Sequence, residues 1–572
     1  MTTHGNRDRA GLTGVRKILL SGAALLGSTV TLMAATPGIA HAAATTASPA
    51  PPGQPGVEEV VVTARRREER LQRVPTAVTA LGAKQLAERN VVTQSDLQST
   101  VPGLTLRETQ GSNSLTYSLR GQTVDNFTGS ATAVVPYFDE VQLFTGGANT
   151  FFDLQSIQVL KGPQGTLFGR NATGGAVLFT TAKPKDDYDG YLTVRTGDYN
   201  MREVLGAVNL PIVQDKAMLR VAFDMVDRDG YQRNLYNGQE LGVVDRQSVR
   251  ASLLLQPSDD LQNTTVVEAD HAGGNSTANR LFAVYPCGAS NGGFALNCTA
   301  AALFSPTTPY GAAVWAAYVA AHPKVNPGGI LAYFQQDAPK LPFWDANEAS
   351  PVFHHEWDYR LVNTTTYDVN PELQLKNIVG VSDADTRDEG SSNGSPYLVF
   401  TSENLDTGEY GNHTDQFAYS DEFQAQGKAL NDALTYIAGA YYQNSDANIL
   451  YPQVYFDLSP LAPPSSVDNH VEIFDKTEAL YAQATYNFSA IGLERLAFTA
   501  GYRYSWEQFT MNQRAESVFG PADQSVDFSN PSWTLGLSYQ LTDDLMLYVQ
   551  GRRSWRSGGL NGTAPPVTVG AA

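Results

Sequence analysis

The sequence predicts a mainly β protein whose larger part is an antiparallel transmembrane barrel. Three features carry that expectation. Segments in the C-terminal part alternate apolar with small or polar residues at period two. The connections between them alternate between tight turns and long loops, the asymmetry of an outer-membrane barrel. Gly 50, Tyr 27 and Phe 24, with only 17% charged residues, exclude a disordered chain. A mean hydropathy of −0.25 excludes a bundle of transmembrane helices. A formal net charge of −19 argues against a nucleic-acid partner.

The first 42 residues read as a secretory signal. Arg7, Arg9, Arg16 and Lys17 form a basic start, Ile18 to Ala35 is an apolar run, and Ala40-His41-Ala42 is a cleavage site. A single membrane anchor is the alternative, disfavoured because the run is short and ends in a cleavage signal. Ala43 to Gly56 is Ala/Pro/Gly-rich, hence a flexible leader. Residues 43–184 carry a net charge of +1 and residues 185–572 of −23, which places a domain boundary near Lys183-Pro184-Lys185.

In the acidic part, Leu219, Val221, Phe223 and Met225 alternate with Arg220, Ala222, Asp224 and Val226. Leu480 to Phe488, Leu496 to Ser505 and Trp533 to Tyr539 repeat the pattern. A soluble sandwich would alternate too. The barrel is favoured because the polar face is small and hydrogen-bonding, as a wet lumen requires, and because aromatics gather near strand ends. Pro257 to Asp260 and Thr542 to Asp544 are expected turns; 271–356 and 446–475 are expected long loops.

The near-neutral part carries the motifs. Val57 to Ala64 is a β-prone run after a flexible leader, able to add to a partner's sheet edge or to form an ordinary edge strand. Tyr117-Ser118-Leu119-Arg120-Gly121 follows, and then the densest stretch, Phe152 to Val177. Its glycines lack both phosphate-loop and dinucleotide spacing, so they read as tight turns and close packing. The segment LKGPQGTLFGRNATGGAV, Leu160 to Val177, resembles the hallmark of the plug of TonB-dependent outer-membrane receptors. The resemblance continues through Lys183-Pro184 and into segments such as Asp227 to Tyr231 and Arg556 to Gly559.

That resemblance implies an α+β plug domain, residues 71–184, inside an antiparallel transmembrane β-barrel, residues 185–572, which has 22 strands in the family. Residues 43–70 would be the leader, with a TonB box at Glu59, Val60, Val61, Val62 and Thr63. It implies energised uptake of a scarce ligand, most often a ferric siderophore, though cobalamin, haem, nickel complexes and glycans are also family cargoes. The implied partners are TonB with its inner-membrane energy complex, and outer-membrane lipid. A monomer is expected, with no enzymatic activity, cofactor, metal site or nucleic-acid partner. The family's plug–barrel charge contacts fall on Arg120 and Lys161, with Glu422 and Glu478 as candidate barrel partners. Lys161 stands where arginine is usual and lacks its bidentate fork. Unpaired, solvated lumen charges are the competing reading. Family ligands bind plug apices, here Gln110, Asn113, Asn126, Phe127 and Phe144.

Cys287 and Cys298 lie in the long 271–356 loop, where an oxidising cell-surface setting favours a disulfide. Ala312 to His322 is a helix candidate in the same loop, either a lid or simple packing. His354-His355-Glu356 lacks metal-protease spacing, and neighbouring histidines on a strand point to opposite faces. Rival readings are a passive porin or adhesin, a non-functional barrel fragment and, last, a secreted enzyme. Residues 185–572 accommodate about 13 or 14 strands against the family's 22. The chain is therefore expected to end before its barrel does.

Overall fold

The computed structural model describes residues 61–108, 115–123, 131–143, 151–284, 295–391, 394–405, 407–458, 465–515, 517 and 520–560, backbone only at 295–298 and 465–467. Its N-terminal domain begins with a small hairpin of β1 (Val61–Val62) and β2 (Glu69–Arg70). A five-stranded sheet follows. It is built from β3 (Val78–Gly82), β6 (Val134–Phe138), β7 (Val141–Gln142), β8 (Leu154–Lys161) and β9 (Gly175–Thr181), in the order β3-β8-β9-β6-β7. The hairpin of β4 (Leu104–Glu108) and β5 (Leu115–Leu119) stands beside it. The sheet is buried on both faces, so its strands are near-continuous apolar runs such as VVPYF, all five residues of which are buried.

The second part is one long antiparallel meander. β10 (Asp189–Thr196), β11 (Arg202–Val213) and β12 (Ala217–Arg228) open it. β13 (Gln232–Asn234) and β14 (Glu240–Leu241) lie in the next loop. β15 (Val244–Ser258) and β16 (Leu261–Gly274) continue the wall. β17 (Asp345–Ala346) belongs to the long loop that precedes β18 (Phe353–Asn370) and β19 (Leu373–Glu389). β20 (Phe400–Thr401), β21 (Glu403–Asn404) and β22 (Glu409–Tyr410) decorate the loop before β23 (Asn412–Ala429). β24 (Leu434–Tyr455), β25 (Ser465–Phe488), β26 (Leu493–Gln513), β27 (Ala522–Gln540) and β28 (Met546–Arg553) complete it. Thirteen of these pair in chain order, with β20 added beside β24. Among the described residues, β10 and β28 each pair on one side only.

Period-two alternation sorts the two faces. In β25, Ala479 and Tyr481 are buried against the plug, whereas Leu480 is 58% exposed. Tyr502, Trp506, Leu535 and Leu537 are exposed likewise, an outward apolar band with aromatics that suits lipid. Short turns such as 259–260 and 371–372 sit at one end of the wall, the long connections at the other.

One expected loop is corrected. Residues 446–475 are not a loop: β24 and β25 stay paired from Leu434↔Tyr486 up to Tyr455↔Ser465, leaving only 456–464 as the connection. Continued cross-strand pairing satisfies the backbone of this hairpin where a loop would leave it to water. The long loop does contain the expected helix, at Ala312–Ala321. It packs with helices Ala295–Leu303 and Gly329–Gln336 around buried Phe304, Tyr318, Tyr333 and Tyr397. His354 is buried and His355 exposed, as parity requires.

Candidate functional site at the leader and the plug–wall interface

The described part of the expected TonB box is Val61 to Thr63; Glu59 and Val60 lie outside the described residues. Val61 and Val62 pair with Arg70 and Glu69. Val62 is fully buried, and Thr63 is tied to the plug sheet by Gln158, whose Oε1 accepts from the Thr63 N–H at 2.9 Å. The chain then reverses. The Arg66 N–H donates to Thr63 O at 2.9 Å, and Arg66 adopts φ 60°, uncommon for a side-chain-bearing residue.

That reversal drives the Arg66 side chain into the interface between plug and wall. Its Nη1 donates to Glu140 O at 2.9 Å and lies 3.3 Å from Glu140 Oε2. Its Nη2 lies 3.4 Å from Glu422 Oε2 on β23. The guanidinium stands 4.7 Å from the centre of the Phe168 ring and 5.4 Å from that of Tyr137. Burial lowers its pKa, but Glu422, Glu140 and, less strongly, Tyr137 and Tyr481 raise it, and the net shift is upward. Glu422 also accepts from Tyr481 OH at 2.5 Å and Gln424 Nε2 at 2.9 Å. Glu140 is shared: its Oε1 pairs with Lys376 Nζ on β19. Burial pushes the Glu140 carboxyl up, Lys376 and Arg66 push it down, and the net shift is downward.

The hallmark loop docks on another stretch of wall. Gly165 opens a short helix, Gly165–Phe168, and a Cβ there would stand 2.7 Å from Ser532 Oγ and Ser554 Oγ. Only glycine lets the backbone approach β27 so closely. Thr166 Oγ1 meets Thr534 Oγ1 at 2.9 Å. Buried Arg170 donates from Nε to Thr477 Oγ1 at 2.9 Å, reaches Glu507 Oε1 at 2.9 Å and pairs with Asp475. A third contact joins Asp153 to Arg220 of β12, at 2.5 Å and 2.8 Å.

The expected charge contacts need correction. Glu422 does bind a plug-side cation, but that cation is Arg66. Lys161 Nζ donates to Pro102 O at 3.0 Å within the plug, and burial followed by nearby Arg120 lowers its pKa. Arg120 is exposed, with its N–H on Gly103 O. Neither reaches a wall carboxylate among the described residues. Glu478 has the wrong parity: it shares the outward face with Leu480 and pairs with Lys476 at 2.9 Å. Arg66, Glu140, Lys376, Arg170, Asp475 and Glu507 were not anticipated. The signals available for two of them were the Arg65-Arg66-Arg67 run beside the box and Arg170 within the hallmark itself. Gln110, Asn113, Asn126, Phe127, Phe144, Cys287 and the side chain of Cys298 lie outside the described residues.

Comparison with known proteins agrees with this architecture. Residues 70–176 match the family model described as TonB-dependent Receptor Plug Domain, and residues 298–571 match TonB dependent receptor-like, beta-barrel. The pesticin receptor of Yersinia pestis is 33% identical over 136 residues, 23% of this chain and 20% of that protein. The crystal structure of the ferric yersiniabactin uptake receptor FyuA from Yersinia pestis aligns with a TM-score of 0.61 at 17% identity, over 83% of this chain and 64% of that one. The siderophore receptor PiuA from Acinetobacter baumannii aligns with a TM-score of 0.61 at 12% identity, over 86% and 66%. At such identities the structural likeness is one of fold. The chain thus spans just under two thirds of these solved receptors, and its match to the pesticin receptor spans a fifth of that protein.

Proposed function

Because the chain belongs to the TonB-dependent receptor family, we propose that it serves as an energised outer-membrane receptor taking up a scarce iron complex, a ferric siderophore. The observation that carries this reading is the position of Val61 to Thr63. Val61 and Val62 form a two-residue strand and Thr63 follows it, three residues from a buried arginine that ties plug to wall.

A periplasmic strand from TonB would take the place of Glu69–Arg70 beside Val61–Val62, giving a directional grip through main-chain hydrogen bonds. The outer membrane offers no nucleotide supply, so work must arrive mechanically. Tension on residues 61–63 would act first on the Thr63–Gln158 bonds and then on Arg66. Removing Arg66 from Glu422 and Glu140 loosens the plug where it meets β19 and β23. The iron-complex reading is supported by the likenesses to FyuA, named as a ferric yersiniabactin uptake receptor, and to PiuA, named as a siderophore receptor. Residues 1–42 would be removed on export and the outward apolar band would face lipid, with the protein acting as a monomer.

The test is growth of an iron-starved receptor-deficient strain on a panel of ferric siderophores. The full chain should rescue growth on at least one, and deletion of Glu59–Thr63 should abolish the rescue. Rescue that survives the deletion would sink the energised reading.

A further inference from the structure

The plug meets its wall unequally. On the flank formed by β25 to β28 the packing is tight: the Thr166–Thr534 contact, the Arg170 ion pairs and the side-chain-free approach of Gly165 leave little room. On the flank formed by β16, β18, β19 and β23 lies a cavity of about 1060 Å³. It begins at the short turns, beside Asp260, Asn370 and Lys428, and reaches inward to Glu140 and Lys376. Val61 and Thr63 also line it. Its wall carries a run of hydroxyls and amides, Gln262, Thr264, Thr364, Thr366, Gln374 and Gln426, with Asp260, Asp368, Lys376 and Lys428 among them.

The cavity ends at an apolar seal. Val266, Val362 and Ile378 of the wall join the plug's own core there, with Val141 packed against them. Gly380 completes the seal, since a Cβ at that position would stand 2.4 Å from Val141 Cγ1. Val141 follows the turn Asp139-Glu140, whose residues have φ 43° and 72°. The turn is pinned from the plug side, where Asp139 accepts from Thr181 N at 2.9 Å and Thr181 Oγ1 at 2.7 Å. It is pinned from the wall side by Lys376 and from the leader side by Arg66, both on Glu140.

We infer that the Asp139–Glu140 turn, with Val141, is the gate of a preformed half-channel on this flank, while the hallmark flank stays docked as the gate opens. The lining suits a hydrophilic solute rich in hydrogen-bonding groups, since each hydroxyl or amide can replace a water contact of the passing molecule. The inference rests on the uptake reading in one respect: Arg66 connects the gate to the leader, so leader displacement removes one of the two cations that hold Glu140.

The full chain in lipid vesicles tests it by L-arabinose swelling, with neither iron nor an energy source. Lys376→Ala should raise arabinose influx about tenfold over wild type, the ratio that ~1.4 kcal/mol of gate opening produces. Gly380→Ala, which crowds Val141, should raise it by an independent route. A disulfide between Glu140→Cys and Lys376→Cys should hold influx at the wild-type rate until reduced. A disulfide between Thr166→Cys and Thr534→Cys should leave the raised rate of Lys376→Ala unchanged. Wild-type influx in both Lys376→Ala and Gly380→Ala, or suppression of the leak by the 166–534 disulfide, would overturn the assignment. The energised-uptake reading fails separately, by siderophore rescue without residues 59–63.

Discussion

Replacing Arg66 with alanine should release the leader. The guanidinium is 3% exposed and touches Glu422, itself 4% exposed, so its removal strands a buried carboxylate. Breaking a buried pair from one side costs about 3–5 kcal/mol. Glu422 keeps its bonds from Tyr481 and Gln424, and Glu140 keeps Lys376, which argues for the lower end, about 3 kcal/mol. Exposure of Val62 requires the small hairpin to open, so the same energy should raise that opening roughly 100-fold. The assay is thiol labelling of Val62→Cys, with Val61→Cys as reference because Val61 is already 50% exposed. In the Arg66→Ala background labelling at 62 should accelerate about 100-fold while labelling at 61 changes little. Equal rates at position 62 with and without Arg66 would refute the argument that this arginine holds the leader.

Further predictions concern the same interface and the wall. Arg170→Ala should lower thermal stability far more than Thr166→Ala, by about 3–5 against ~1 kcal/mol, measured by calorimetry in detergent. Glu478→Gln should leave leader labelling unchanged and stability within about 0.5 kcal/mol, because its side chain is outward and half exposed, whereas Glu422→Gln should speed labelling at 62. Glu140 has a depressed pKa in the folded state, so its contribution is present above the ordinary carboxyl value of about 4.3 and lost as pH falls through the lower folded value. The ratio of labelling at Val62→Cys to that at Val61→Cys, which cancels the loss of thiolate at low pH, should therefore rise in that acid range and lose part of its pH dependence in Glu140→Gln. Leu480→Arg on the lipid face should destabilise the sheet by roughly 2–4 kcal/mol in bilayer unfolding experiments.

The meander was legible because a half-buried strand writes its two faces in alternate residues, as Leu480 and Tyr481 do. The hallmark was legible because glycine spacing such as Gly165 and Gly169 answers to close approach of backbone to wall. The charge contacts were not legible. Glu478 falls two residues before Leu480 and shares its outward face by the same alternation, but which wall carboxylate meets which plug cation turns on register and topology, which composition does not encode. Arg66 was hidden among three consecutive arginines, and only the reversal at φ 60° selects the middle one. Lys376 and Glu140 are 236 positions apart, a pairing created by topology alone. The 446–475 segment holds Pro452, Pro460, Pro463 and Pro464, a loop-like content, although cross-strand partners continue the hairpin up to Tyr455↔Ser465.

The sharing of Glu140 between Arg66 and Lys376 bears on reversibility. If Arg66 were the sole partner of Glu140, departure of the leader would leave that carboxylate a bare charge. With one carboxylate between two cations, the leaving arginine hands its counter-ion to a lysine already in contact. The remaining pair marks the spot to which the arginine returns. On the proposed uptake reading the cost of the stroke then falls on Glu422, left with its bonds from Tyr481 and Gln424, while the Glu140–Lys376 pair stays in place to guide the reset.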